Sequence, residues 1–254
     1  MAVVLGCVGS SPVSRACSAA GPLARQNLAG GIWFAVRVNL DALRIVYGDL
    51  AALAVSLDEP ASWRPTGCAG WAVRDLVHHL LGDAQRALVA LATPAAGPAD
   101  RDATTYWLDA PGAPDADSRG IRASRTMASQ WRLDFLTASY AETAAAVLVS
   151  AERMRPDDLV ATQGHVLSVA DLVSTLVVEA TIHHLDLTVD LEGPGPGPEP
   201  VAVARATVDA LLGRPTPAGW HSEQWLRAAT GRADLTEEQR DYLGPDAERL
   251  PLLR

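Results

Sequence analysis

Asp171-Leu-Val-Ser-Thr-Leu-Val-Val-Glu-Ala-Thr-Ile-His-His-Leu-Asp-Leu187 is the stretch whose reading decides the fold. Its apolar residues (Leu172, Val173, Leu176, Val177, Val178, Ile182 and Leu185) fall on every side of a 3.6-residue helix. A helix apolar all round is normally enclosed by other elements. Yet Glu179, His183 and Asp186 follow at i, i+4 and i+7, close to one line along it. A carboxylate inside a core is costly unless a charge or donor meets it. A metal ion shared by Glu179 and His183 would meet that need, and so would a hydrogen-bonded Glu–His pair.

Working outward, the segment before this helix supplies its start. Ser168 stands three residues ahead of Asp171, a capping-box spacing. A long helix is predicted over about Arg119–Met154, with Met127, Trp131, Leu133, Phe135, Leu136, Val147 and Leu148 available to the core and Pro156 ending it. A short turn then leads to Ser168. Ahead of these, Val73, Leu76, Val77, Leu80, Ala84 and Leu88 give an i, i+3, i+4, i+7 stripe over about Ala72–Leu91. Another amphipathic helix is predicted from Leu40 to Leu57. Residues 94 to about 117, rich in Pro and Gly and containing Tyr106-Trp107, read as a surface loop and candidate lid over a pocket.

Four long helices with no βαβ alternation imply an all-α protein, a four-helix bundle. Its bounds are residues 37–192. Residues 1–36 lack Asp and Glu, are rich in Ala, Gly and Ser, and are expected to be a disordered extension. Gly193-Pro-Gly-Pro-Gly-Pro198 opens a linker over 193–199. Residues 200–254 then hold short helices near 200–213, 220–229 and 236–243, expected to pack back on the bundle.

Composition excludes several classes. The net charge of −9, with Arg as the only basic chain carrying it, argues against a nucleic-acid binder that needs a basic surface. The 3 Cys, at positions 7, 17 and 68, are odd in number and form no Cys-x-x-Cys, so neither a disulfide framework nor a thiolate zinc site is expected. No apolar run reaches the roughly 20 residues that cross a bilayer. A small-molecule protein is left, expected in the cytoplasm because no anchor or export signal is seen.

The chemistry-bearing residues sit on two of the helices. Bundles build metal sites from Glu and His projecting inward on facing helices, and Glu179 and His183 have that spacing. On the helix of residues 72–91, His79 lies between Asp75 and Asp83, either of which would orient its ring, whereas His78 shares a face with Arg74 and Gln85 and looks solvated. Two imidazoles and one carboxylate suit Zn²⁺ or another divalent first-row ion. Asp186 is expected to orient His183. Cys68, His165, His221 and the group Arg122, Arg125 and Arg132 read as structural or solvent-facing, and Trp71 and Trp107 as packing residues.

Two motifs carry a resemblance. Trp63-Arg-Pro-Thr-Gly-Cys-Ala-Gly-Trp-Ala-Val-Arg-Asp-Leu-Val-His-His-Leu80 and Glu179-x-x-x-His183-x-x-Asp186-Leu187 resemble the two signatures of the mycothiol-dependent maleylpyruvate isomerase family, which are DinB-like helical bundles. Leu211-Leu-Gly-Arg-Pro and Thr230-Gly-Arg-Ala-Asp-Leu-Thr are similar to tail segments of its shorter members. The resemblance implies that His79, Glu179 and His183 bind a divalent metal, usually zinc, and that the thiol used is mycothiol. It implies an enzyme that isomerises a small electrophile or transfers a thiol to it; the alternative is a non-catalytic metal-binding bundle that holds a ligand or a partner protein. The chain departs from the pattern at Ala72, where Thr is usual, and at Leu176, where Arg is frequent. It is also expected to lack the additional C-terminal α/β domain of the isomerase.

Overall fold

The computed structural model describes residues 22–109 and 119–253, with side chains of residues 22–38, 109 and 119–120 left aside. Helix α1 spans Pro22–Val55, α2 Glu59–Ser62, α3 Val73–Leu91, α4 Arg119–Gln130, α5 Leu133–Glu152 and α6 Val169–Leu187. Strands β1 (Leu159–Thr162) and β2 (His165–Ser168) precede α6, and α7 (Pro198–Leu212), α8 (Ser222–Ala229) and α9 (Glu237–Leu243) follow it. The helix α3 packs on α5, α5 on α1, α1 on α6, and α6 back on α3, which closes the ring of a four-helix bundle.

The all-round apolar character of α6 now has its cause. One side of the helix, through Leu172, Val173 and Val177, joins the bundle core with Leu43, Leu50, Leu76, Leu136, Tyr140 and Val147. The other side, through Val178, Ile182 and Leu185, meets Val201, Val208, Leu211, Trp225 and Leu226 of the tail. Helices α7 and α8 contact α6, which is sandwiched between two cores. Ser168 caps α6, its hydroxyl accepting from the Asp171 backbone N–H at 3.0 Å.

Three expectations need correction. The helix expected over residues 119–154 is broken: Arg132 is extended (φ −65°, ψ 137°) between α4 and α5. The buried Arg74 guanidinium takes the place of a cap there, donating to the carbonyls of Ala128 (3.2 Å) and Trp131 (2.7 Å) and pairing with Glu59 at 2.7 Å. No Pro or Gly marks the break, so the local sequence is silent about it. Met127 and Phe135, expected in the core, are exposed, and the face of α5 that is buried runs through Leu136, Tyr140, Ala144, Val147 and Ala151.

The short turn before α6 is instead an antiparallel hairpin, with Leu159 opposite Ser168 and Thr162 opposite His165. Its two-residue turn, Gln163-Gly164, has positive φ at both positions (49° and 86°), the geometry that suits the twist of a tight hairpin. The backbone of α1 is helical from Pro22, ahead of the expected start near Leu40 and inside the span expected as an extension; residues 1–21 lie outside the described residues.

Candidate functional site

The site is built where α3 and α6 face each other. On α6, His183 lies one turn beyond Glu179, and its Nε2 is 3.4 Å from Glu179 Oε1. From α3, the Nε2 of His79 reaches the same oxygen at 3.3 Å. The two imidazoles meet edge to face, ring centroids 4.8 Å apart. One carboxylate oxygen is thus shared by two rings from different helices, His79 lying 100 residues before Glu179. The Glu179 side chain is 32% exposed and that of His183 12%, so the cluster opens on one side and is closed on the other.

The closed side is a second layer. Asp186, one turn past His183, has its side chain wholly buried and faces His183 Nδ1 at 3.0 Å. A carboxylate can only accept, so Nδ1 carries a proton, and Nε2 is the nitrogen that faces the site. Arg232, in the loop between α8 and α9, donates from Nε to the other Asp186 oxygen at 2.6 Å. The Cys68 thiol donates to Asp186 at 3.2 Å, and the Gly67 N–H donates to the Asp186 carbonyl at 2.9 Å. Gly67 is required there: a Cβ would stand 2.5 Å from Asp186 Oδ1 and 3.1 Å from its Cα.

These contacts set the charges. Burial works against an ionised Glu179, but hydrogen bonds from His183 and His79 and their charges outweigh it and hold the carboxyl well below its usual range. Burial likewise opposes charge on His183; hydrogen bonds to Asp186, Cys68 and Glu179 overcome it and carry the ring well above the usual histidine value. For His79, burial prevails and its pKa falls, the Glu179 hydrogen bond offsetting this in part. Asp186 is pushed down despite burial by His183 and Arg232.

Of the residues singled out from sequence, the structure brings His79, Glu179, His183 and Asp186 together. His78 turns to Ser124 Oγ (3.1 Å) and the edge of Trp131, away from the cluster, and is half-buried rather than solvated. Asp75, a candidate to orient His79, accepts from the Ala72 backbone N–H at 2.9 Å; Ala72 itself supplies no side-chain cap to α3. Asp83 does reach His79, at Nε2 rather than behind it, 3.1 Å away. Trp71 packs edge-on against the His79 ring, and Arg125 and Arg132 pair with Asp75 and Asp134. Sequence reasoning gave no role to Arg232, although it lies in the quoted tail motif, and treated Cys68 as a turn residue.

The candidate lid is anchored over its described part. Ala103 N–H donates to Asp171 of α6, Asp100 pairs with β2 through Val166, and Gln163 of the hairpin turn donates to the Tyr106 hydroxyl. Residues 110–118 of that loop lie outside the described residues.

Residues 43–188, the bundle that carries both signature motifs, match the family described as mycothiol maleylpyruvate isomerase N-terminal domain. The chain belongs to this family. Two solved structures share the fold: mycothiol-dependent maleylpyruvate isomerase and a histidine-to-alanine mutant of it. Each aligns with a TM-score of 0.53 at 15% identity, over 78% of this chain and 90% of that chain. No curated protein matches the sequence. The family's DinB-like helical bundle is therefore the architecture here. Among the described residues the tail after α6 is helical and carries no sheet. No helix among them is long and apolar enough to cross a membrane.

Proposed function

We propose that this family member is a divalent-metal enzyme that uses a low-molecular-weight thiol, mycothiol, to isomerise a small electrophile or transfer the thiol to it. The observation that carries the reading is the shared Glu179 oxygen, 3.3 and 3.4 Å from the Nε2 atoms of His79 and His183. Three donors spaced like this, two neutral imidazoles and a carboxylate, form the His₂Glu set that suits Zn²⁺ and leaves a position for water or substrate. His79, Glu179 and His183 would hold the ion. Bound there, it would supply Lewis acidity that lowers the pKa of a thiol and yields thiolate near neutral pH.

The chain's own residues do the rest. Asp186 fixes the tautomer and plane of His183, and Arg232 keeps Asp186 ionised while it is buried. The depressed pKa of Glu179 keeps it a carboxylate throughout the neutral range. Trp71 braces the His79 ring. The partly exposed side of Glu179 is where thiol and electrophile would approach. The thiolate would add to one carbon of a C=C bond conjugated to a carbonyl, the π electrons moving onto that carbonyl. Isomerisation would then re-form the C=C bond and expel the same thiolate, whereas transfer would keep the C–S bond and take up a proton at the neighbouring carbon.

Metal analysis of the purified protein, followed by turnover of electrophiles such as maleylpyruvate with and without mycothiol, tests the proposal. One equivalent of metal and thiol-dependent turnover are expected. A metal-free protein would reduce the cluster to a hydrogen-bonded Glu–His pair. Stoichiometric metal without thiol-dependent chemistry would leave a non-catalytic metal-binding bundle.

A further inference from the structure

The two histidines of the cluster are served differently by their acidic neighbours. For His183, the carboxylates lie on opposite sides of the ring: Asp186 at Nδ1 and Glu179 at Nε2. That is the arrangement of an orienting acceptor behind a ligand. For His79, both carboxylates lie on the same side, with Glu179 Oε1 3.3 Å and Asp83 Oδ2 3.1 Å from the one Nε2. An acceptor that shares the donor nitrogen of a ligand does not stand behind it. It stands beside it, facing the same point.

From this we infer that Asp83 is a fourth protein ligand of the metal centre, beyond His79, Glu179 and His183. The inference rests on the metal reading proposed above. The Asp83 side chain is 8% exposed; its Oδ1 is ion-paired with Arg86, and its Oδ2 has no partner among the described residues beyond the His79 Nε2 3.1 Å away. Arg86 meets Oδ1 alone, so the buried Oδ2 faces the cluster with only an imidazole beside it, a position that a cation in the cluster would satisfy. The ligand atoms of His79, Asp83, Glu179 and His183 all lie within 4.8 Å of one another. Donors bound about 2.1 Å from one ion stand roughly 3.0–3.4 Å apart at neighbouring positions, which the 3.1, 3.3 and 3.4 Å separations match. Because Arg86 occupies Oδ1, Asp83 would offer Oδ2 alone. Two carboxylates with two neutral imidazoles balance a divalent charge, and the added oxygen shifts preference from strictly tetrahedral zinc toward ions that accept more oxygen donors, such as Mn²⁺ or Fe²⁺.

Cobalt(II) is the probe, because its visible bands report its ligands directly. Wild type, Asp83→Asn and Asp83→Cys are loaded with Co²⁺ and their spectra compared, and zinc affinity is measured by competition with a chromophoric chelator. The inference expects the Asn variant to change the cobalt bands and to lose more than about 100-fold in zinc affinity, beyond the 10–100-fold typical of an outer contact. It expects the Cys variant to add a thiolate-to-cobalt charge-transfer band in the near ultraviolet. If wild type binds cobalt and both variants reproduce its spectrum, with no new band, Asp83 is not a ligand and the three-residue centre stands. If wild type binds no cobalt or zinc at all, the metal reading itself falls and this inference with it.

Discussion

The α3 and α6 halves of the site solve one problem in two ways. On α6, His183 is fixed from behind by a buried relay, Arg232 to Asp186 to Nδ1, that reaches from the C-terminal tail into the bundle. On α3, His79 is held by packing against Trp71, and among the described residues its polar contacts lie on the site side. On the metal reading proposed above, the α6 half is electrostatically prepared before any cation arrives, and the α3 half would be completed by the cation. The difference teaches that two histidines alike in type are held by unlike means: one leans on Asp186 and Arg232, the other on a neighbouring ring.

The largest effects should come from removing donors. His183→Ala and His79→Ala are each expected to abolish stoichiometric metal, measured by elemental analysis after dialysis; a stoichiometric His79→Ala protein would break the comparison by leaving α3 outside the centre. Next, Asp186→Asn should lower metal affinity about 10–100-fold in a chelator competition, because the tautomer of His183 is no longer enforced. Arg232→Ala should lower stability by about 3 kcal/mol in urea unfolding, since it leaves the buried Asp186 carboxylate short of its cation. Among the described residues no matching partner stands behind His79, so an equal sensitivity of the α3 half to an outer-contact substitution would contradict the asymmetry.

Gly67→Ala should cost about 1–3 kcal/mol by denaturant titration, because the new methyl meets Asp186 and has to displace it. A smaller, pH-dependent effect separates the halves further. In metal-free protein the raised pKa of His183 contributes stability that is fully present below about 6.5, the unfolded value, and is lost as pH rises through the folded value. The lowered pKa of His79 acts in the opposite sense, and only below about 6.5. Glu179, held low, contributes constantly across the neutral range. Melting temperature of the apo protein should thus fall as pH climbs above neutral. The gain on adding zinc should grow over the same range, because metal displaces the proton. A pH-independent apo melting temperature there would remove the His183 contribution. Smallest of all, Ala72→Thr should add about 1 kcal/mol by restoring a side-chain cap to α3, without altering metal content.

Much of this was legible in the chain. Ser168 announced the start of α6, the Val73–Leu88 stripe placed α3, and the i, i+4, i+7 line put Glu179, His183 and Asp186 on one face. What was not legible has a common cause. The break at Arg132 depends on Arg74, 54 residues from the Ala128 carbonyl it binds, and nothing near Trp131 signals it. Met127 and Phe135 look like core residues by type, yet with α4 and α5 separated both stay exposed among the described residues. Asp83 was correctly placed near His79 by its spacing, but spacing does not say which ring nitrogen a carboxylate meets.

The sequence by itself determined the helices, the bundle class and the residue types of the site, because periodicity, caps and i, i+4 neighbours are local consequences of backbone geometry. Only the tertiary structure decided the hairpin before α6, the orientation of each imidazole, and the reach of Arg232 across 46 residues to Asp186. Those features are set by close contacts between segments remote in the chain, whose energies depend on distance and direction in space, and the order of residues encodes neither until the bundle has closed.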